Sequence, residues 1–286
     1  MKAVRATLVG GLGNQMFIAA AAAALAERLG SPLELDHAEF RTDPAGRRLA
    51  LDVFPTLAGL ATSVQLPQLL PAAIRRRLDR YRSDVFVEAG FSYDARIESL
   101  TKPVRMRGYF QAHQYFDGID VRELFALTQP NPRLAAIEAA VGSHWIGMHV
   151  RRGDYLNAST AAYHGLCSDE YFLRGLHLIR PHHDHELPVV LFTDQPDAVS
   201  ARLNDAADFI VGPDPTAHEA VDLWAMSHAS ALVMSNSSFS WWAAYLGESA
   251  TRPVVAPRPW FQAINVDTKD LLLPNWLQIG ISDGAS

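Results

Sequence analysis

The sequence is short of cysteine, lysine and long apolar runs, and each shortage excludes something. Cys167 is the sole cysteine among 286 residues. No disulfide framework and no cysteine-based zinc site can form within the chain, and a reducing compartment fits. No stretch reaches the roughly 18 consecutive apolar residues of a membrane-spanning helix. Positive charge is not in excess either: 25 basic residues against 31 acidic ones leave a formal net charge of −6. A broadly basic nucleic-acid binder is thereby excluded. Only Lys2, Lys102 and Lys269 are lysines, so nearly all positive charge is guanidinium. What remains is a globular composition, 49% apolar and 20% charged, unlike that of a disordered chain. The length accommodates about two domains at roughly 150 residues each.

The apolar pattern reads as two successions of strands and helices. Ala3–Val9 is a short β-type run, Asn14 to Leu29 consists mostly of strong helix formers ending at Gly30, and Pro32–Leu35 is a second β-type run. This β-turn-α-β opening builds a parallel sheet. Ile18–Ala26 imitates the apolar core of a signal peptide, but a strand precedes it where a basic head belongs. The reading is therefore a mature, soluble, cytoplasmic protein. The region from Glu39 to Lys102 is less regular. Its arginines, Arg75–Arg77, Arg80 and Arg82, fit a solvated helix face or a patch for an anionic partner. Val104–Phe110 reads as a strand. Thr128–Pro132 is the candidate boundary between domains 1–130 and 131–286. Beyond it, apolar runs at Trp145–Val150, Pro188–Phe192, Phe209–Val211, Ala231–Met234 and Pro253–Ala256 alternate with helical patterns, one capped by Ser168. The fold class is α/β with two doubly wound domains, which places a ligand crevice between them and ligands at the carboxyl ends of the strands.

Candidate chemistry lies in the segments that follow these runs. The first is Gly10-Gly11-Leu12-Gly13-Asn14-Gln15, where glycines permit a tight turn and a helix N-terminus offers N–H groups. Gly11 and Gly13, with Asp36 closing the second strand, also fit a dinucleotide fingerprint and an NAD-dependent oxidoreductase, although Met16 occupies the third glycine position. A plain strand–helix turn is the remaining alternative. The second segment is His149-Val150-Arg151-Arg152-Gly153-Asp154-Tyr155. Strand alternation puts His149 and Arg151 on one face and Arg152 on the other. Arginine suits phosphate because its planar fork donates two parallel hydrogen bonds; an internal Arg–Asp ion pair is the alternative. Thr193 and Asp194 follow the next run. Asn236, Ser237, Ser238 and Phe239 then join a strand to a helix, offering either N-caps or a phosphate cradle. The Arg152-Gly153-Asp154 tripeptide as an adhesion signal, the sequons at Asn157 and Asn236, and a metal site at His182, His183, Asp184 and His185 are the weaker readings. Cys167 reads as an incidental thiol.

Five segments, in order, resemble the α-1,2-fucosyltransferase family: GGLGNQMF (Gly10–Phe17), GYFQAHQYF (Gly108–Phe116), HVRRGDY (His149–Tyr155), NSSFSWW (Asn236–Trp242) and APRPWF (Ala256–Phe261). The resemblance implies a GT-B-like fold, two Rossmann-type domains facing an interdomain cleft, and inverting transfer of L-fucose from GDP-fucose. The acceptor would be a galactose-terminated oligosaccharide. By position, Arg151 would contact the β-phosphate, with Arg152 and Asp154 completing that motif and Asp154 the nearest carboxylate for a general base. His149 would sit beside the nucleotide, Asp222 would meet guanine, and Ser237, Ser238 and Phe239 would lie against the diphosphate. Asn14 would approach from the other domain. Thr193-Asp194-Gln195 departs from the family's Ser-Asp-Asp, Ala229 stands for a Cys, and Ala243 for a Gly. The resemblance implies that no metal is required and no cofactor is expected, and no Asp-x-Asp pair occurs anywhere in the sequence. No nucleic-acid partner and no integral membrane segment are expected, and peripheral membrane association stays open. A fucosyltransferase of another linkage and a non-catalytic binder are the nearest rivals.

Overall fold

The computed structural model describes residues 2–67, 70–153, 163, 165–182, 186–249, 251–262 and 266–282. The chain forms two units, Met1–Gln129 with Asp267–Leu271, and Pro130–Val266 with Leu272–Ser286. The return of 267–271 to the first unit departs from a simple division near residue 130. Hydrogen bonds from Tyr93 N to Asp270 Oδ2 (3.0 Å) and from Ser92 Oγ to Asp267 O (3.2 Å) fasten that segment.

In the first unit, strands β1 (Val4–Thr7), β2 (Leu33–Asp36), β3 (Ala61–Val64), β4 (Val85–Val87) and β5 (Arg105–Arg107) form a parallel sheet in the order β3-β2-β1-β5-β4. Helix α1 (Leu12–Arg28) follows β1. Thirteen of its 17 residues are buried, and Ala19–Ala23 are at most 2% exposed. A helix buried nearly all round belongs to a protein interior, and small alanine side chains let it lie close to its neighbours. The signal-like run is therefore core. Gln15 fixes the glycine loop before this helix: its Nε2 donates to Gly10 O (3.0 Å) and Arg48 O (2.9 Å), and its Oε1 accepts from Ala50 N (2.9 Å).

Helices α2 (Pro55–Leu60), α3 (Ala72–Asp79) and α4 (Val121–Leu124) complete the described α-helices of this unit, beside three short 3-10 turns. Within the arginine-rich stretch, Arg75 pairs with Glu39 (3.0 Å), which also meets Arg107 (3.3 Å), while Arg107 pairs with Asp79. Arg82 pairs with Asp84 (2.7 Å). Arg75 thus belongs to an internal ion network rather than to a solvated face.

The second unit carries α5 (Pro132–Val141), β6 (Ile146–Val150), α6 (Asp169–Ile179), β7 (Val189–Thr193), α7 (Ala201–Asp205), β8 (Phe209–Val211), α8 (Ala220–Ser227), β9 (Ala231–Val233), α9 (Ser238–Leu246), β10 (Val254–Arg258) and β11 (Leu277–Gly280). The sheet is parallel in the order β11-β10-β9-β6-β7-β8. The chain runs outward from β6 through β7 to β8, then restarts at β9 on the other side. That reversal is the topological switch point at which doubly wound sheets bind ligands. Every residue of β6, β7 and β9 is buried, which explains why their sequences are apolar without alternation. Ser168 caps α6, its Oγ accepting from Tyr171 N at 3.2 Å.

Two helices of this unit share one C-terminal lock. The buried Arg252 donates at 3.2 Å from Nη1 to Ala243 O and Ala244 O in α9, and from Nη2 to Met226 O in α8. A guanidinium is the side chain whose fork can satisfy orphan carbonyls of two helix ends at once. All six tryptophans lie in this unit, so their fluorescence reports its unfolding. Arg252→Ala is expected to cost at least about 3 kcal/mol, read as a lower urea midpoint by tryptophan emission. An unchanged midpoint would mean the lock contributes nothing.

Candidate functional site

A pocket of about 190 Å³ opens at the carboxyl ends of β6, β7 and β8. His149 and Arg151 line it from the first strand, Phe192, Thr193 and Asp194 from the second, and Val211, Pro213 and Asp214 from the third. Ala217, Glu219, Asp222 and Phe239 close it.

Asp194 organises the mouth. Its Oδ2 pairs with Arg151 Nε at 3.1 Å. Its Oδ1 accepts from the backbone of Arg152 (2.9 Å) and Gly153 (3.2 Å). One carboxylate from β7 therefore pins both the turn after β6 and the arginine that precedes it. Gly153 is required by this arrangement, because a Cβ there would collide with Asp194 Oδ2. Arg152 points the other way, as strand alternation demands. Its Nη1 donates to Cys167 O (3.0 Å), its Nη2 pairs with Asp169 (3.2 Å), and its guanidinium lies 5.8 Å from the ring of Phe172. Arg152 is thus a packing residue and not a pocket contact.

His149 is buried beside Arg151. Its Nδ1 shares a 2.8 Å hydrogen bond with Ser235 Oγ, and its ring centroid lies 5.6 Å from that of Phe239. Burial, reinforced by the charge on Arg151, lowers its pKa to about 3. The imidazole is neutral at physiological pH and acts as a hydrogen-bonding wall rather than a cation.

Asp222 faces the pocket from α8. Its Oδ1 accepts from Arg133 Nε at 2.7 Å, and Arg133 Nη2 also donates to Gly212 O at 3.3 Å. Burial raises the Asp222 pKa, and Arg133 opposes that rise. Asn131 caps α5 and donates to Val221 O at 2.8 Å, which sets Arg133 against α8. At the start of α9, Ser237 Oγ accepts from Phe239 N at 3.3 Å, while Ser238 is the first helical residue. Thr193 Oγ1 accepts from Gln195 N at 3.2 Å.

Asn236 does not line the pocket. Its Nδ2 donates to Gly165 O (3.1 Å) and Trp260 O (3.2 Å), and its Oδ1 faces Cys167 Sγ at 3.6 Å. Cys167 is buried, and burial raises its pKa to about 12, so it is an inert thiol. Asp154, Asn157, His183, Asp184 and His185 lie outside the described residues. In the first unit, Gly11 caps α1 and Gly13 is buried in its first turn. Asn14 Oδ1 accepts from Gln111 Nε2 at 2.8 Å. Asp36 Oδ1 accepts from Ala38 N (3.1 Å) and Leu66 N (3.3 Å), so this carboxylate ties together the backbone that follows β2 and β3.

Arg133, Glu219 and Asp214 are pocket-side residues the sequence reading missed. Asp214 carried a signal, since it follows a recognised strand through Gly212 and Pro213. Arg133 carried none, because its partner lies 89 residues away. Among the described residues, no group of three or more His, Cys, Asp or Glu side chains could hold a metal, and no helix is long and apolar enough to cross a membrane.

The depressed His149 pKa has a consequence for stability. Below pH 6.5 the unfolded chain takes up a proton that folded His149 refuses until about pH 3. Stability therefore falls as pH drops through that window. A His149→Asn variant is expected to lose less stability than the wild type between pH 7.5 and 5, measured by urea unfolding. Parallel losses would contradict a neutral buried imidazole.

The family model "Glycosyl transferase family 11" matches residues 99–280. An alpha-1,2-colitosyltransferase of Escherichia coli is 27% identical over 293 residues, covering 98% of this chain and 99% of that protein. The O-antigen biosynthesis glycosyltransferase WbnK of Escherichia coli is 26% identical, covering 95% and 99%. Among solved structures, an Arabidopsis thaliana FUT1 mutant in complex with GDP is similar at a TM-score of 0.50 and 14% identity, covering 91% of this chain and 73% of that one. That likeness speaks for the fold, a GT-B-type pair of parallel α/β units. The family match runs through every strand and helix that lines the pocket, and on it the chain belongs to glycosyl transferase family 11 and is a glycosyltransferase.

Proposed function

We propose that this glycosyltransferase moves L-fucose from GDP-β-L-fucose to the 2-hydroxyl of a terminal galactoside, with inversion and without a metal ion. The observation that carries the reading is Arg151, whose guanidinium lines the pocket at the end of β6 with its Nε held by Asp194. The second unit holds the donor, and residues of the first unit receive the acceptor. Inversion requires one displacement, in which the acceptor hydroxyl attacks opposite the departing diphosphate through an oxocarbenium-like transition state. Negative charge grows on GDP as the bond to carbon 1 breaks. Arg151 meets that charge, assisted by the start of α9 at Ser237, Ser238 and Phe239, the last of which lines the pocket. A fixed donor aimed at developing charge is worth roughly 3–4 kcal/mol. Asp222, on the pocket wall, reads the N–H edge of guanine, and Arg133 sets its orientation. Asp154, three residues beyond Arg151, is assigned the acceptor proton. An Asp154→Asn variant that keeps the acidic limb of the wild-type pH–rate profile would remove it from that role.

A second donor has its own observation in its favour: the full-length similarity to an alpha-1,2-colitosyltransferase. Colitose is L-fucose without its 3-hydroxyl. A site that hydrogen-bonds that hydroxyl discriminates strongly against the deoxy sugar, whereas an apolar wall discriminates weakly. Comparing kcat/KM for GDP-fucose and GDP-colitose decides between the donors, and the account expects fucose to lead.

Arg151→Ala is expected to lose at least about 100-fold in turnover while the protein stays folded. Arg151→Lys is expected to be nearly as poor, because a point charge does not reproduce the fork. Both are read by transfer from GDP-fucose to a panel of β-galactosides, with the linkage of the product determined. Near-normal turnover in Arg151→Ala would overturn the reading. Full activity in EDTA is expected; strict dependence on a divalent ion would contradict the arginine as sole counter-charge.

A further inference from the structure

The first unit carries a flat aromatic surface that the donor pocket does not use. Tyr109 is 38% exposed, and its ring lies against that of Phe91 with centroids 5.9 Å apart and planes at 12°. Phe91 follows β4 and Tyr109 follows β5, so the pair stands at the carboxyl end of the sheet. An exposed aromatic pair on its own is unremarkable surface. Here the backbone beneath it is built to hold it. Phe110 has a φ of +54°, which non-glycine residues seldom adopt and which persists only where the surroundings impose it. The reversal sends Phe110 inward, fully buried against Phe86 and Tyr115, and leaves Tyr109 outward.

Glu88 imposes that reversal. Its Oε2 accepts from the backbone N–H groups of both Tyr109 (2.7 Å) and Phe110 (2.9 Å). Gly108 leaves room for this, since a Cβ there would collide with the Glu88 carboxylate. Two residues beyond Tyr109, the buried Gln111 donates to Asn14 Oδ1 (2.8 Å). Asn14 in turn packs its Nδ2 over Gly10, where a Cβ would lie 2.5 Å from that nitrogen. Contacts therefore join the glycine loop to the amide pair, and two residues of chain join Gln111 to Tyr109 in the same unit.

We propose that Tyr109, stacked on Phe91, is the platform for the pyranose ring of the acceptor. Glu88 is a positioning residue. The inference rests on the reading of the acceptor as a galactoside. In a galactopyranose the axial 4-hydroxyl stands on one side of the ring, which leaves C–H bonds at carbons 3, 4 and 5 on the other. Such C–H groups are slightly positive and fit the electron-rich face of an aromatic ring. Rigid aromatics also cost little entropy on binding.

The test uses the full chain and methyl β-galactoside, with methyl β-glucoside alongside. In saturation-transfer NMR the wild type is expected to transfer magnetisation chiefly to protons 3, 4 and 5 of the galactoside and less to the glucoside. Tyr109→Ala is expected to abolish this, and Tyr109→Phe to preserve it. In transfer assays Tyr109→Ala is expected to raise acceptor KM at least about ten-fold with a much smaller change in kcat. A platform also predicts that Glu88→Gln, which keeps an acceptor for the two N–H groups, binds better than Glu88→Ala. Unchanged saturation or unchanged KM in Tyr109→Ala overturns the platform while leaving the transferase reading intact. Tyr109-dependent galactoside binding without fucosyl transfer would do the reverse: the platform stands and the galactoside reaction falls.

Discussion

One carboxylate holds the functional end of the second unit together. Asp194 gathers three donors, the Nε of Arg151 and the backbone N–H groups of Arg152 and Gly153. Each is charged or lies at a turn that the sheet cannot satisfy by itself. A charge-assisted contact of this kind is roughly twice as strong as a neutral one, and partial burial protects it from screening. The same contact decides two things at once. It sets the path of the chain as it leaves β6, and it sets the plane of the guanidinium that lines the pocket. Gly153 follows from it, since only a residue without Cβ leaves Asp194 its place.

The Arg-Gly-Asp tripeptide illustrates how the fold assigns meaning to a short sequence. Arg152 is buried against Cys167 O, Asp169 and Phe172, and Gly153 is fixed by Asp194. Neither is available to an adhesion receptor. The glycine loop of the first unit is resolved in the same way. Gln15 binds it to residues 48–50, and Asp36 Oδ1 accepts from two backbone N–H groups. Glycines after a first strand serve a sharp turn here, and the acidic residue that completed a dinucleotide fingerprint has a structural task.

Much of the second unit was legible because its strands are buried on both faces and read as apolar runs, as with Ile146–Val150 and Val189–Thr193. The ends of those runs gave His149, Arg151, Thr193 and Asp194 directly. Strands β3, β4 and β11 were not recognised. Ala61–Val64 is half exposed, Val85–Val87 has three residues, and Leu277–Gly280 is an edge strand with exposed Leu277 and Gln278, so none shows a clean period. Arg133 and Glu88 were invisible for a different reason. What each does depends on a partner brought near only by folding: Asp222 for the first, the backbone of Tyr109 and Phe110 for the second. Asn236 was misplaced because a polar residue after a strand looks the same whether it faces a pocket or, as here, ties Gly165 to Trp260.

The central claim is that Asp194 acts on the ligand through Arg151. A double-mutant cycle on GDP affinity, by calorimetric titration of wild type, Asp194→Asn, Arg151→Ala and the double variant, addresses it directly. The account predicts strong coupling: Asp194→Asn weakens GDP binding in the wild type and has almost no further effect once Arg151 is gone. Additive losses would show that the two residues act independently, and would contradict it.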